Sequence, residues 1–78
     1  KGALGHSMGA SGALETIACV QMLQKQFLLP TQNLHEPDER CGALDYITSG
    51  TAGKADIILK NSFAIGGNNC SLLLRRVP

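Results

Sequence analysis

Tryptophan is absent from this sequence, and only Phe27, Tyr46 and Phe63 carry aromatic rings. A core must therefore be built from Leu, Ile, Val and Ala. A strong charge of one sign is missing too: seven basic and six acidic residues leave a net charge of +1. Arg75-Arg76 is the single basic doublet, and its plain reading is a solvated strand end, so nucleic acid is not an expected partner. The three cysteines, Cys19, Cys41 and Cys70, are odd in number and widely spaced, with no C-x-x-C. That supports neither a disulfide framework nor a zinc site, and no metal is expected. The simplest setting for such thiols is a reducing, cytoplasmic compartment. No apolar run reaches membrane-spanning length and no signal peptide opens the chain, so no membrane partner is expected.

What is present is apolar and short. At 78 residues, 44% of them hydrophobic, the chain has too much apolar content for a disordered tail and room for one small domain at most. It opens at Lys1 without an initiating Met, as a cleaved product or a partial sequence would.

The opening, Lys1 to Gly12, is glycine-rich. From about Ala10 to Phe27, Ala13, Leu14, Ile17, Val20 and Leu23 recur at three- and four-residue intervals, with Ala18, Cys19 and Met22 widening the stripe. This predicts a largely buried helix. Gly9 and Gly12 at its start are expected to admit a neighbouring backbone closely. Pro30, Pro37 and the polar residues between them mark an exposed connection, and His35 to Gly42 reads as loop. Leu44 to Thr48 reads as a short strand and Ser49 to Lys54 as a turn. Ala55 to Lys60 and Cys70 to Leu74 read as strands around a Gly-rich loop, Asn61 to Asn69. One helix cannot cover strands that are apolar on both faces, so a layer is missing from these residues.

Three features bear on chemistry. His6 lies just before the helix N-terminus, where the positive end of the dipole favours the neutral imidazole that donates or accepts a proton near neutrality. Lys1 precedes it, and Glu15 on the helix is within reach of a lysine packed alongside. On residues alone, a histidine in a glycine-rich turn is more often structural than catalytic. The loop Asn61 to Asn69 is open to two readings, a plain hairpin connection or a surface of backbone N–H groups facing a bound group. It has no G-x-G-x-x-G and no G-K-[ST] ending. None of the cysteines sits where a nucleophile is activated.

Taken together, these stretches resemble the β-ketoacyl-acyl-carrier-protein synthases of the thiolase superfamily. Lys1-Gly-Ala-Leu-Gly-His6-Ser-Met-Gly-Ala-Ser-Gly-Ala-Leu-Glu15 is similar to that family's K-x-x-x-G-H-[ST]-x-G-A-x-G-x-x-E segment. Leu29-Pro-Thr-Gln-Asn-Leu-His-Glu-Pro-Asp38 is similar to its P-P-T-x-N-x-x-x-P-D connection, and Asn61-Ser-Phe-Ala-Ile-Gly-Gly-Asn-Asn69 to its N-S-F-G-F-G-G-x-N segment. The three stand in family order and span nearly the whole chain.

The resemblance implies an α/β chain, the C-terminal portion of a thiolase-like layered α/β/α/β/α fold, with residues 1–78 belonging to a ketosynthase domain whose N-terminal half lies elsewhere. It implies a decarboxylative Claisen condensation between an acyl thioester and malonyl-acyl-carrier protein, in fatty-acid or polyketide synthesis. His6 matches the second active-site histidine, which polarises the malonyl thioester carbonyl; Lys1 matches the active-site lysine and Glu15 its ion-pair partner. Phe63, Ala64, Ile65, Gly66 and Gly67 match the loop that gates the acyl pocket and supplies an oxyanion N–H. Ile65 stands where the family usually has Phe, and Ala64 where it has Gly. The nucleophilic Cys and the first histidine lie upstream in the family, so this chain alone is expected to be inactive. No cofactor is implied, since the acyl groups ride on the phosphopantetheine of the carrier protein. The implied partners are that protein, the remainder of the synthase chain, and a second subunit in a homodimer or heterodimer. The alternatives are a non-catalytic scaffold, or a dimerisation or carrier-docking module, of ketosynthase type, and a thiolase-fold enzyme acting on coenzyme A.

Overall fold

A computed structural model describes the backbone of residues 1–78 and every side chain except that of Thr51. One turn of 3-10 helix at Met8–Ala10 leads directly into the α-helix α1, Ser11–Lys25. Two strand pairs follow: β1 (Phe27–Leu28) with β2 (Thr51–Ala52), and β3 (Ile57–Phe63) with β4 (Asn69–Arg75), both antiparallel. The architecture is a small α/β unit in which α1 packs against the β3–β4 hairpin and against β1.

The helix ends two residues earlier than its apolar period suggests. Gln26 adopts a left-handed conformation (φ 52°, ψ 47°) that breaks the helical run before Phe27. Its side chain compensates, because the amide nitrogen donates to Leu23 O at 2.8 Å and to Ala55 O at 2.9 Å. Its own carbonyl accepts from Gly53 N–H at 3.1 Å. One residue thus caps the helix and pins the segment leading to β3, answering the orphan carbonyls of the last turn.

Residues 49–54, expected as a turn, contain β2, and Leu44–Thr48, expected as a strand, form none. Two-residue ladders leave no periodicity to read, and packing rather than propensity places this one. A Cβ on Gly50 would sit 2.6 Å from Phe27 Cζ, and one on Gly53 would sit 2.7 Å from Leu28 Cδ1. These glycines are the flat surface against which β1 lays its side chains. Leu44 and Tyr46 instead fold into tight local bonds, with Tyr46 Oη donating to Gly42 O at 2.9 Å. The long connection is tied near its ends by Thr31 N–H donating to Ile47 O at 2.8 Å. Within it a short helical turn at Glu39–Cys41 is capped by Asp38, whose carboxylate accepts from Arg40 N–H and pairs with the Arg40 guanidinium.

The hairpin extends further into the Gly-rich segment than expected. Asn61, Ser62, Phe63 and Asn69 lie in the ladder, in register with Ser71, Cys70, Asn69 and Phe63 respectively. Backbone pairing does not require apolar side chains, and a polar pair such as Asn61–Ser71 contributes its own bond, Ser71 Oγ to Asn61 Oδ1 at 2.7 Å. The turn shrinks to residues 64–68, with Gly66 and Gly67 at φ 94° and 82°.

Burial is one-sided. Ile58, Lys60 and Ser62 face the helix, while Ile57, Leu59 and Phe63 on the other face of β3 are 59–77% exposed. On α1 only Cys19 and Leu23, one turn apart, are buried, and Ile17 is 57% exposed. The helix is therefore not largely buried by these residues, because a two-stranded hairpin covers one of its sides only. Among the described residues outside the local helix backbone, nothing comes within 4 Å of a Cβ placed on Gly9 or Gly12, so the close backbone approach expected there is not made by them.

Candidate active site

The N-terminal segment wraps back over the start of α1. Gly5, at φ 78°, turns the chain so that its N–H donates to Lys1 O at 2.7 Å. This fold-back carries the Lys1 ammonium onto Glu15, 2.6 Å from its Oε1. His6 leaves the same turn and is held by backbone: Met8 N–H donates to its Nδ1 at 2.9 Å. Met8 takes a left-handed φ of 50° to do so. Ser11 Oγ stands 3.3 Å from the same nitrogen and itself accepts from Ser7 N–H at 2.9 Å. With its acceptor side occupied, the Ser11 hydroxyl has its proton to offer Nδ1. Two donors directed at Nδ1 fix the neutral ring as the tautomer carrying its proton on Nε2.

Glu15 is the centre of a three-member charge cluster. Its Oε2 lies 3.2 Å from Lys60 Nζ, opposite the Oε1 contact with Lys1. Hydrogen bonds from the two ammonium groups hold the Glu15 carboxyl below the ordinary glutamate range. Lys60 in turn donates to Ser62 Oγ at 2.6 Å. It is the one buried charged residue among the described residues.

The hairpin brings its loop to the same place. His6, Lys1, Glu15, Phe63, Ala64 and Ile65 line one open groove between the N-terminal turn and the end of the hairpin. Phe63 closes β3, and Ile65 stands fully exposed at the hairpin tip. Ala64 N–H donates to Asn68 O and Gly67 N–H to Ala64 O, both at 3.1 Å. The N–H of Ile65 has no backbone partner among the described residues. Gly66 and Gly67 form the turn itself and do not border the groove.

Of the residues expected from the sequence, Lys1, His6, Glu15 and the 63–65 segment are thus gathered in one place. Sequence reasoning missed Lys60, Ser62, Ser11 and the backbone of Met8. Lys60 had a signal. In Ile57-Ile-Leu-Lys60-Asn-Ser62 the alternation puts Lys60 in phase with Ile58, on the covered face, and a lysine there demands a carboxylate.

A histidine and a lysine–glutamate pair thus stand beside a glycine-rich hairpin tip on one groove. The comparisons carry the assignment to a family. Residues 1–35 match the family model described as the β-ketoacyl synthase, C-terminal domain. The chain is 36% identical over 77 residues to 3-oxoacyl-[acyl-carrier-protein] synthase 1 of Escherichia coli strain K12, covering 99% of this chain and 19% of that protein. It is 42% identical over 78 residues to synthase 2 of Coxiella burnetii, again 99% of this chain and 19% of the relative. Nodulation protein E of Rhizobium leguminosarum bv. trifolii is 40% identical over 72 residues, 92% of this chain and 18% of that protein. No solved structure gives a significant match. The chain belongs with the β-ketoacyl synthases and corresponds to a C-terminal part of them. It spans about a fifth of the length of these curated relatives. No helix among the described residues is long and apolar enough to cross a membrane.

Proposed function

We propose that this chain supplies the carbonyl-polarising half of a β-ketoacyl-acyl-carrier-protein synthase site. The observation that carries the reading is the fixed Nε2–H tautomer of His6 beside the Lys1–Glu15 pair, on the groove that the hairpin tip borders. An acyl group is held as a thioester on a cysteine elsewhere in the parent. Malonyl-carrier protein enters the groove, and its thioester carbonyl accepts a hydrogen bond from His6 Nε2–H. The bond between the carboxylate carbon and the methylene carbon breaks, CO2 leaves, and its electron pair forms an enolate stabilised by that N–H. The enolate carbon then attacks the acyl thioester, and the cysteine sulfur departs. A donor preset for charge that develops only during reaction is the most effective kind of stabilisation. The Ile65 N–H is proposed to receive the second oxyanion, at the acyl carbonyl.

In this reading the reaction needs no cofactor on the chain, because both acyl groups ride on carrier phosphopantetheine or on the cysteine. The exposed faces of the hairpin and of α1 fit a thiolase-like layered fold, in which the rest of the synthase covers the apolar strand residues Ile57, Leu59 and Phe63. Acyl-carrier protein, the remainder of the synthase and a second subunit are its proposed partners.

The test is reconstitution of the full-length protein that contains this sequence, given an acyl primer and malonyl-carrier protein. The expected product is a 3-oxoacyl thioester two carbons longer, detected by mass spectrometry with release of CO2. A full-length, folded protein that releases no CO2 from malonyl-carrier protein overturns the reading. The 78-residue chain by itself is expected to release none above a His6→Ala control.

A further inference from the structure

Lys60 is buried, charged and given no part in the chemistry above. Its ammonium makes two contacts in different elements: Glu15 Oε2 on α1 at 3.2 Å, and Ser62 Oγ on β3 at 2.6 Å. Ser62 precedes Phe63 directly and borders the groove, so the lysine lies where the acidic centre meets the root of the hairpin tip. Its stem is enclosed between α1 and the hairpin, with the side chain 8% exposed. Lys1, which meets the other oxygen of Glu15, is 50% exposed. Of the two ammonium groups, the buried one is the better geometric constraint, since its stem has lost its freedom to packing. A buried charge with two short polar contacts is retained at a cost in solvation, and fixing relative geometry is the best-attested return for that cost.

We propose that Lys60 is a positioning residue of the condensation site, a brace that fixes the Glu15 carboxylate against the root of the acyl gate and so sets Lys1 and the 63–65 segment at one working distance. The proposal rests on the synthase reading. It assigns Lys60 no contact with substrate: it acts through Glu15 on one side and Ser62 on the other. Glu15 has two oxygens and two cations. Without Lys60 its carboxylate is free to rotate toward Lys1 as a bidentate partner, and the ammonium of Lys1 moves with it. Without the Ser62 contact, the root of the gate loses its side-chain bond to the charge cluster.

The experiment uses the full-length synthase and the variants Lys60→Met, Lys60→Arg, Glu15→Gln and the double variant Lys60→Met/Glu15→Gln. Condensation kcat and KM for malonyl-carrier protein are measured alongside the thermal midpoint of each. Met fills the volume of the lysine stem, so the thermal midpoint of Lys60→Met stays close to wild type. The expected kinetic result is a fall in kcat of about tenfold or more with KM little changed, as for a misplacement of reacting groups. Arg, which keeps the cation, recovers part of that loss. In the Glu15→Gln background the further loss from Lys60→Met is expected to be under about threefold, since a residue acting through a partner has little left to act on. Wild-type kcat in Lys60→Met overturns the brace. So does a loss of kcat that tracks the thermal midpoint across all variants, or a full multiplicative loss in the double variant. An inactive wild-type protein overturns the synthase reading instead, and the two failures are therefore distinct.

Discussion

Met8 N–H donates to His6 Nδ1 at 2.9 Å, and this bond within one turn decides which nitrogen of the neutral ring carries the proton. The ring can offer Nε2–H only because Nδ1 is already an acceptor. Replacing His6 with Ala in the full-length synthase removes that donor without disturbing a packed core, since the ring is exposed in this chain. Malonyl decarboxylation is expected to fall by about two to three orders of magnitude, the usual loss for one oxyanion donor. Acyl loading onto the upstream cysteine is expected to continue. Quantifying CO2 release and acyl-enzyme by mass spectrometry checks both; equal loss of the two steps would refute the role given to His6.

Glu15 makes a pH-dependent contribution to stability. Lys1 and Lys60 hold its carboxyl below the ordinary value of 4.5. A carboxyl with a lowered folded value contributes fully above its unfolded value and loses that contribution as the pH falls through the folded one. The thermal midpoint of wild type minus that of Glu15→Gln should therefore be flat from about pH 7 to about pH 5. Below pH 4.5 the difference should shrink steadily. Salt should reduce it as well, because Lys1 and Glu15 are both partly open to water in this chain. A difference that stays constant to about pH 3 would show that Glu15 is not held this way.

The chain by itself is expected to self-associate. Leu59 and Leu73 are directly paired across the hairpin and are 61% and 70% exposed, with Ile57 beside them on the same face. An apolar patch of this kind on a strand pair with open edges is not stable in water. Sedimentation velocity of the isolated 78 residues should show species larger than the monomer at micromolar concentration. Leu59→Lys with Leu73→Glu should return it toward monomer. A wild-type chain that sediments as a monomer throughout would contradict the reading of this face.

Ile65 should set primer discrimination in the parent. At the hairpin tip it is fully exposed, and its β-branched side chain has a stiff χ1 and little reach. A Phe there buries more area and can swing about χ1. Ala64 next to it narrows the conformations open to the tip compared with glycine. Ile65→Phe is expected to change the ratio of kcat/KM for a short and a long acyl primer by on the order of tenfold. Competition between the two primers in one reaction gives the ratio directly, and an unchanged ratio would take Ile65 away from the gate.

Much of this arrangement is legible in the residues. The 3.6-residue stripe gave α1 to within two residues, and the two apolar runs gave the hairpin strands. The apolar character of both strand faces gave the uncovered sheet. The reach of Glu15 along the helix, with the family resemblance, pointed to the Lys1–Glu15 pair. What escaped depended on tertiary placement. Gln26 ends the helix by a left-handed turn that no propensity for glutamine announces. The β1–β2 pair is two residues long and rests on glycine flats at Gly50 and Gly53. Lys60 looked like the end of a strand because a lysine after an apolar run usually is one. Its phase with Ile58 puts it on the covered face, where Glu15, distant in sequence, supplies the partner carboxylate.

The tie between Thr31 N–H and Ile47 O has a consequence for engineering. Everything it encloses is a closed excursion whose ends stay together whatever its length. Lengthening such an excursion costs only about 0.6 kcal/mol per doubling. Of its contents, the Asp38–Arg40 turn, the Tyr46–Gly42 bond and the backbone bonds of Leu44 and Tyr46 hold local shape, and none of these residues borders the groove. The stretch around His35 and Glu36, exposed in this chain, is therefore where a reporter peptide is expected to be tolerated while the groove keeps its geometry.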